Sequence, residues 1–253
     1  MRLSDLVRTV RGALRERGPA RLLSDAVAYG YREILRPRLP GRPVAYAGMP
    51  TAVEVKPGDR WLPARWVPGD VRDIPDYEAT LVEHLREHVR PGDRVVVVGG
   101  GVGVTAVVAA RQAGAAGTVQ VFEGSAAGVR AVRQTARLNA VADRIAVEHA
   151  VVARAVHVYG RHPGRSVDPS ALPACDVLEL DCEGSEIEIL STLAVRPRAI
   201  LVETHGIYGA PTDRVLGLVG ALGYDAREVG VAEPRIAEIC REGDIRVVVG
   251  VRR

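Results

Sequence analysis

RVVVVGGGVGVTAVVAA, residues Arg94–Ala110, is the stretch that decides the fold. Four consecutive valines, Val95–Val98, present no polar face and carry the β-branched side chains that suit a strand buried on both sides. Gly99, Gly100, Gly101 and Gly103 then break the strand into a tight turn, and Thr105–Ala110 resumes an apolar pattern read as a helix. A strand, a glycine turn and a helix N-terminus together leave bare backbone and unpaired N–H groups where a ligand can lie. In an open α/β sheet that place is the crevice beyond the carboxyl ends of the strands. The glycines alone leave three readings open. Gly99-x-Gly101-x-Gly103 matches the turn that holds S-adenosylmethionine in many methyltransferases. Gly101-x-Gly103-x-x-Ala106 satisfies the dinucleotide fingerprint of an NAD(P)-dependent oxidoreductase, with Glu123 as the ribose acid. A tight turn without a ligand is the third.

Downstream, strand and helix patterns alternate, which is the signature of a parallel sheet with helices on both faces. Val119–Phe122 is the second strand and ends at Glu123; Ser125 caps a helix running to about Asn139. Ile145–Val152 is a third strand, Ala155–Tyr159 a short addition, and His162–Pro173 a loop. Asp176–Leu180 and Ala199–Val202 follow as strands, and Ser185 with Glu188 has capping-box spacing for the helix between them. Tyr224–Val229 and Ile245–Val251 close the sheet.

Upstream, Pro75 is expected to start a helix with Tyr77, Leu81, Leu85 and Val89 at four-residue spacing. Residues 1–72 read as an N-terminal extension and residues 73–253 as the ligand-binding domain. The extension holds an amphipathic helix (Leu3, Leu6, Val7, Val10) with Arg8, Arg11 and Arg15 on another face, a second helix over Ala20–Leu35, and a hairpin over Val44–Val55. Packing of the first helix on the domain outweighs peripheral contact with a membrane. The loop Trp61–Asp73 carries both tryptophans, whose default role is to cover the edge of the core.

Composition bounds the function. Hydrophobic residues make up 47% of 253, enough for a sizeable core. No apolar run reaches the ~20 residues that span a bilayer, and no signal-peptide pattern is present. The three cysteines form no CxxC pair, which fits reduced thiols in a cytoplasmic protein. A net charge of +3 gives no argument for nucleic acid.

Polar residues then gather at three strand ends: Glu123, Asp181 with Glu183, and Glu203 with His205. Carboxyl ends of parallel strands share one edge of a sheet, so these side chains are expected around the same crevice as the glycine turn. Here the chain resembles a known family. DVLELDCEGSEIEIL (Asp176–Leu190) followed by ILVETHG (Ile200–Gly206) is similar to the signature of FkbM-type S-adenosylmethionine-dependent methyltransferases, and PDYEATLVEHL, GDRVVVVGGGVGV and VFEGS fit upstream. The resemblance covers roughly Asp73 to Arg252. It implies a class I methyltransferase fold, Rossmann-like, seven-stranded and mostly parallel with one antiparallel strand, and methylation of a hydroxyl on a sugar, glycan or natural product. Two positions depart from the family pattern: Glu179 stands where lysine is usual, and Val97 where an acid is common.

The resemblance and the chemistry together assign roles. Gly99, Gly100, Gly101, Gly103 and Thr105 would hold S-adenosylmethionine, with Glu123 on its ribose hydroxyls. Asp181 and Glu78 would meet the rest of the cofactor. His205 is the expected base because imidazole titrates near neutrality, and Asp181, Glu183 and Glu203 would position the substrate or orient that ring. Asp181, Glu183 and His205 also offer oxygen and nitrogen donors to Mg²⁺, but hard-cation sites need more carboxylates than the sequence clearly offers, so no metal is expected. His84 and His88 are expected on an exposed helix face, His149, His157 and His162 show no partner pattern, and all five read as structural.

Overall fold

The computed structural model describes residues 18–59, 61–63, 67, 71–154 and 164–252. The expected first helix, Trp66, Ala155–Tyr159, His157 and His162 lie outside the described residues. The chain divides into two compact units, Met1–Val44 with Glu54–Arg72, and Ala45–Val53 with Asp73–Arg253.

In the first unit, α1 (Pro19–Tyr29) begins with proline at a first-turn position, where its missing N–H costs nothing, and runs into a π-helical turn, Gly30–Leu35. Asp59 ties this unit together. Its side chain accepts hydrogen bonds from Tyr31 Oη at 2.7 Å, Arg36 Nη2 at 2.8 Å and the Lys56 N–H at 2.8 Å. Trp61 does not cover a core edge, since 88% of it is exposed.

The break between units is not a single cut after residue 72. Strands β1 (Arg42–Tyr46) and β2 (Met49–Val55) form a two-stranded ribbon whose tip, residues 45–53, groups with the second unit. Within that unit the Ala52 N–H donates to Thr135 Oγ1 at 2.9 Å, Asn139 Nδ2 donates to the Pro50 carbonyl at 2.8 Å, and Tyr46 stacks on Tyr77. The turn of the ribbon is Ala47-Gly48, both at positive φ, which suits a tight hairpin.

The second unit is an eight-stranded sheet. Its strands are β3 (Arg94–Val98), β4 (Thr118–Glu123), β5 (Ile145–Val152), β6 (Arg165–Val167), β7 (Val177–Leu180), β8 (Ala199–Glu203), β9 (Asp225–Val231) and β10 (Arg246–Val251). Their spatial order is β6-β5-β4-β3-β7-β8-β10-β9, and only β10 runs antiparallel to its neighbours. This is the expected Rossmann-like α/β sheet with one correction, eight strands rather than seven. The extra strand, β6, lies in a stretch read as loop; three residues pairing with Ala150–Val152 at the sheet edge leave no periodicity to detect.

The helices are α2 (Ala79–His88), α3 (Val104–Ala113), α4 (Ala126–Leu138), α5 (Glu186–Thr192), α6 (Thr212–Ala221) and α7 (Ala237–Glu242). Leu178 and Leu180 of β7 join Ile189 and Leu190 of α5 and Val215 and Val219 of α6 in one core cluster. From β3 the chain adds β4 and β5 on one side, then returns to add β7 and β8 on the other. The reversal makes a switch point between β3 and β7, where an open sheet leaves a crevice at its carboxyl edge.

Candidate active site

A cavity of about 690 Å³ occupies that crevice. Gly99, Gly101, Glu123, Asp181, Glu183, Glu203 and Glu78 all line it, so seven of the expected residues converge. Gly100, Gly103, Thr105 and His205 are not on its wall.

The glycine turn divides its labour. Gly99, at φ 97°, hydrogen-bonds Phe122 O through its N–H and passes so close to β7 that an added Cβ would lie 1.6 Å from Asp181 O. At Gly100 an added Cβ would meet Val132 and Val121, and at Gly103 the backbone of α4 (Val132 Cα at 2.9 Å), so these two serve packing. Gly101 has open space beside it and faces the cavity.

Glu123, at the end of β4, holds this turn in place. Its Oε2 accepts from the Gly100 and Gly101 N–H groups at 2.9 and 3.1 Å, and its Oε1 from the Ser125 N–H at 2.7 Å. A carboxylate offers about four lone-pair sites, so one is left for a ligand rather than the two expected for a pair of ribose hydroxyls. The first turn of α4 makes room for the carboxylate: a Cβ on Gly128 would lie 2.4 Å from Glu123 Oε1. Ser125 caps that helix as expected, its Oγ accepting from the Gly128 N–H at 2.9 Å.

The other half of the cavity is built differently. The expected capping box at Ser185 does not form, because Ser185 Oγ donates instead to the Arg154 carbonyl at 2.7 Å. Glu186, the first residue of the helix, instead holds the loop before it, accepting from the Cys182 and Gly184 N–H groups at 3.2 and 2.9 Å. The same carboxylate, fully buried, meets His205 Nδ1 at 2.8 Å. Nε2 of that ring then faces Asp181 Oδ1 at 3.5 Å, Glu203 Oε1 at 3.6 Å and Glu183 Oε2 at 3.8 Å. Burial disfavours charge on the ring, but the Glu186 hydrogen bond and the charges of Asp181, Glu186 and Glu183 outweigh it and push the pKa to about 9. An imidazole so placed is held toward its protonated form.

Four acids in and behind the cavity are raised. Burial, with the charges of Glu183, Glu186 and Glu123, takes Asp181 to about 6 against the opposing pull of His205. Burial and the Asp181 charge take Glu78 to about 8. Burial, then Asp181 and Glu78, hold Glu203 well above the usual carboxylate range, and the same three influences hold Glu179 there, entirely inside the sheet. Glu78 and Glu183 also sit at positive φ, 47° and 54°, a strained conformation for glutamate. The left-handed turn at Glu78 makes it the cap of α2, so that helix begins at Ala79 and not at Pro75.

Three residues escaped the sequence reading: Glu186, Glu233 and Tyr77. Glu186 is the last acid of D-x-E-G-x-E, and that motif is the signal that could have found it. Glu233 and Tyr77 line the cavity from segments with no polar pattern of their own. In all, six carboxylates (Glu78, Glu123, Asp181, Glu183, Glu203, Glu233) and no lysine or arginine stand among the lining residues described.

Neither a protein-family model nor a curated protein matches the chain. Among solved structures it is similar to an O-methyltransferase family protein from Burkholderia thailandensis (16% identity, TM-score 0.47, 69% of this chain and 55% of that one). It is also similar to a SAM-dependent O-methyltransferase from Thermotoga maritima (14%, 0.47, 71% and 65%). A third is an O-methyltransferase from Bacillus cereus in complex with SAH (15%, 0.46, 75% and 86%). This chain spans less than two thirds of the length of the first two.

Proposed function

We propose that the protein is an S-adenosylmethionine-dependent methyltransferase acting on a hydroxyl of a sugar, glycan or natural product. The observation that carries the reading is the charge of the cavity. S-adenosylmethionine brings a sulfonium and an ammonium, which suit a wall of six acidic side chains, two of them (Glu78 and Glu203) held toward their neutral form until a cation enters. A nicotinamide dinucleotide would bring a pyrophosphate to walls with no lysine or arginine among the described lining residues. The glycine turn fits either nucleotide; the electrostatics favour the cationic one.

Gly99 and Gly101 expose backbone to the nucleoside, and the free lone pair of Glu123 accepts from its ribose. Asp181 and Glu78 receive the ammonium end. The cofactor supplies a methyl group already activated for transfer. The chain's task is to hold the accepting oxygen in line with that carbon and to exclude water, which is catalysis by positioning. Glu183 and Glu203 orient the acceptor, and its proton leaves to a cavity carboxylate, since His205 is already protonated.

Calorimetry with S-adenosylmethionine, its demethylated product and NAD tests the reading. S-adenosylmethionine is expected to bind more tightly than the product, which lacks the sulfonium charge, with the gap narrowing as salt rises. Tight binding of NAD with no response to the other two would overturn it.

A further inference from the structure

His205 is 96% buried by side chain, and its orientation is fixed by Glu186 at Nδ1. Its other nitrogen, Nε2, is turned toward three carboxylate oxygens and hydrogen-bonds none of them. An imidazolium paired with a carboxylate closes to about 2.7–2.9 Å, yet Nε2 stands 3.5, 3.6 and 3.8 Å from Asp181, Glu203 and Glu183. Those lengths have another meaning. Four donors set tetrahedrally at about 2.1 Å from a metal are about 3.4 Å apart. Donor atoms of Asp181, Glu183 and His205 all fall within 4.8 Å of one another. Glu203 Oε1 lies 3.6 Å from the same nitrogen but outside that group of three, and its second oxygen is buried with no hydrogen-bond partner.

The geometry points to a divalent transition-metal site formed by His205 Nε2 with Asp181 and Glu183, Glu186 being the outer carboxylate that orients the ring and Glu203 lying beside the site. A buried carboxylate on the far nitrogen of a metal-binding histidine is the usual way such a ligand is aimed. One imidazole nitrogen with two carboxylates suits Mn²⁺, Fe²⁺ or Zn²⁺ better than Ca²⁺, which takes six to eight oxygens. The ion takes the place of the proton on Nε2. Asp181, Glu183 and Glu203 line the cavity while His205 stands behind them, so the open side of the ion faces the cavity.

The role of the ion rests on the methyltransferase reading, although the site does not. A hydroxyl oxygen bound at the open position gives up its proton more readily. That proton goes to a cavity carboxylate, the oxygen–carbon bond forms, and the sulfur keeps the electrons of the bond it loses.

Titration of the full chain with Mn²⁺, followed by loss of the free-ion electron paramagnetic resonance signal, tests the site. One ion per chain is expected, with pulsed spectra showing coupling to a single imidazole nitrogen that disappears in His205→Gln. Glu186→Gln should weaken binding by roughly 10–100-fold, and Asp181→Asn should also weaken it. A paired His84→Ala, His88→Ala change is the control, because those two with Glu87 form the other group of metal-donor side chains among the described residues; it should leave binding intact. No binding of Mn²⁺ or Zn²⁺ at millimolar concentration overturns the inference, as does binding that survives His205→Gln with Asp181→Asn. Calorimetry with the demethylated cofactor on the same sample separates the two readings. Cofactor without metal sinks the metal site alone; metal without cofactor sinks the methyltransferase assignment alone.

Discussion

The two halves of the cavity solve opposite problems. At the tips of β3 and β4, Glu123 has its oxygens engaged by three backbone N–H groups, and the glycine turn it holds is packed from behind by Val121 and Val132. At the tips of β7 and β8, three carboxylates crowd one imidazole at separations too long for hydrogen bonds. The first half is satisfied before any ligand arrives, as a binding surface should be to avoid the cost of ordering. The second keeps unspent electrostatic attraction, which is where chemistry is expected. A satisfied half binds; an unsatisfied half reacts.

The strongest attempt to break this contrast is Glu186→Ala. It leaves His205 buried beside a void and frees the N–H groups of Cys182 and Gly184, so unfolding in urea should show a loss of about 3 kcal/mol. Parental stability would mean that the second half does not depend on its anchor. Next, His205→Ala should slow turnover roughly a hundredfold while calorimetry of the demethylated cofactor stays near the parent. If cofactor binding collapses in step, the halves are not separable. Glu123→Ala sharpens the contrast from the other side, weakening cofactor binding by about 1–3 kcal/mol with a smaller change in saturated turnover.

The smallest effect lies at the loop that carries His205. Asp244 accepts from the Thr212 N–H at 2.9 Å and from Thr212 Oγ1 at 2.7 Å, and it faces Arg246. Burial would raise its pKa, but these partners outweigh burial and hold it below the usual carboxylate range. A lowered folded-state pKa means the stabilisation is full above the unfolded value and lost as pH falls through the folded one. Acid titration of Asp244→Asn should therefore show a slightly shallower loss of stability below about pH 4, by under about 1 kcal/mol because the side chain is partly exposed.

What could be read in advance followed from how local each signal was. Val95–Val98 and the glycines announce a strand and a turn by themselves, and parallel strand ends must share an edge, so the sequence alone brings Glu123, Asp181, Glu183 and Glu203 to one crevice. Ser125 was recognised as a cap because capping is settled within four residues. Ser185 had the same local pattern and was misread, since Arg154, thirty-one residues away, claims its hydroxyl. His205 is visible in the sequence but its protonation is not, because that depends on how Asp181, Glu183 and Glu186 fold around the ring. β6 was too short to show a pattern, and the helix start at Ala79 depended on a left-handed glutamate that no propensity favours.

Those left-handed acids have a consequence for anyone hardening this protein. Glycine would sit at positions 78 and 183 without strain, relieving roughly 1–2 kcal/mol at each, but it would remove a carboxylate from the cavity wall. A screen for heat tolerance alone should thus return Glu78→Gly and Glu183→Gly early, as sturdier chains that have lost their chemistry.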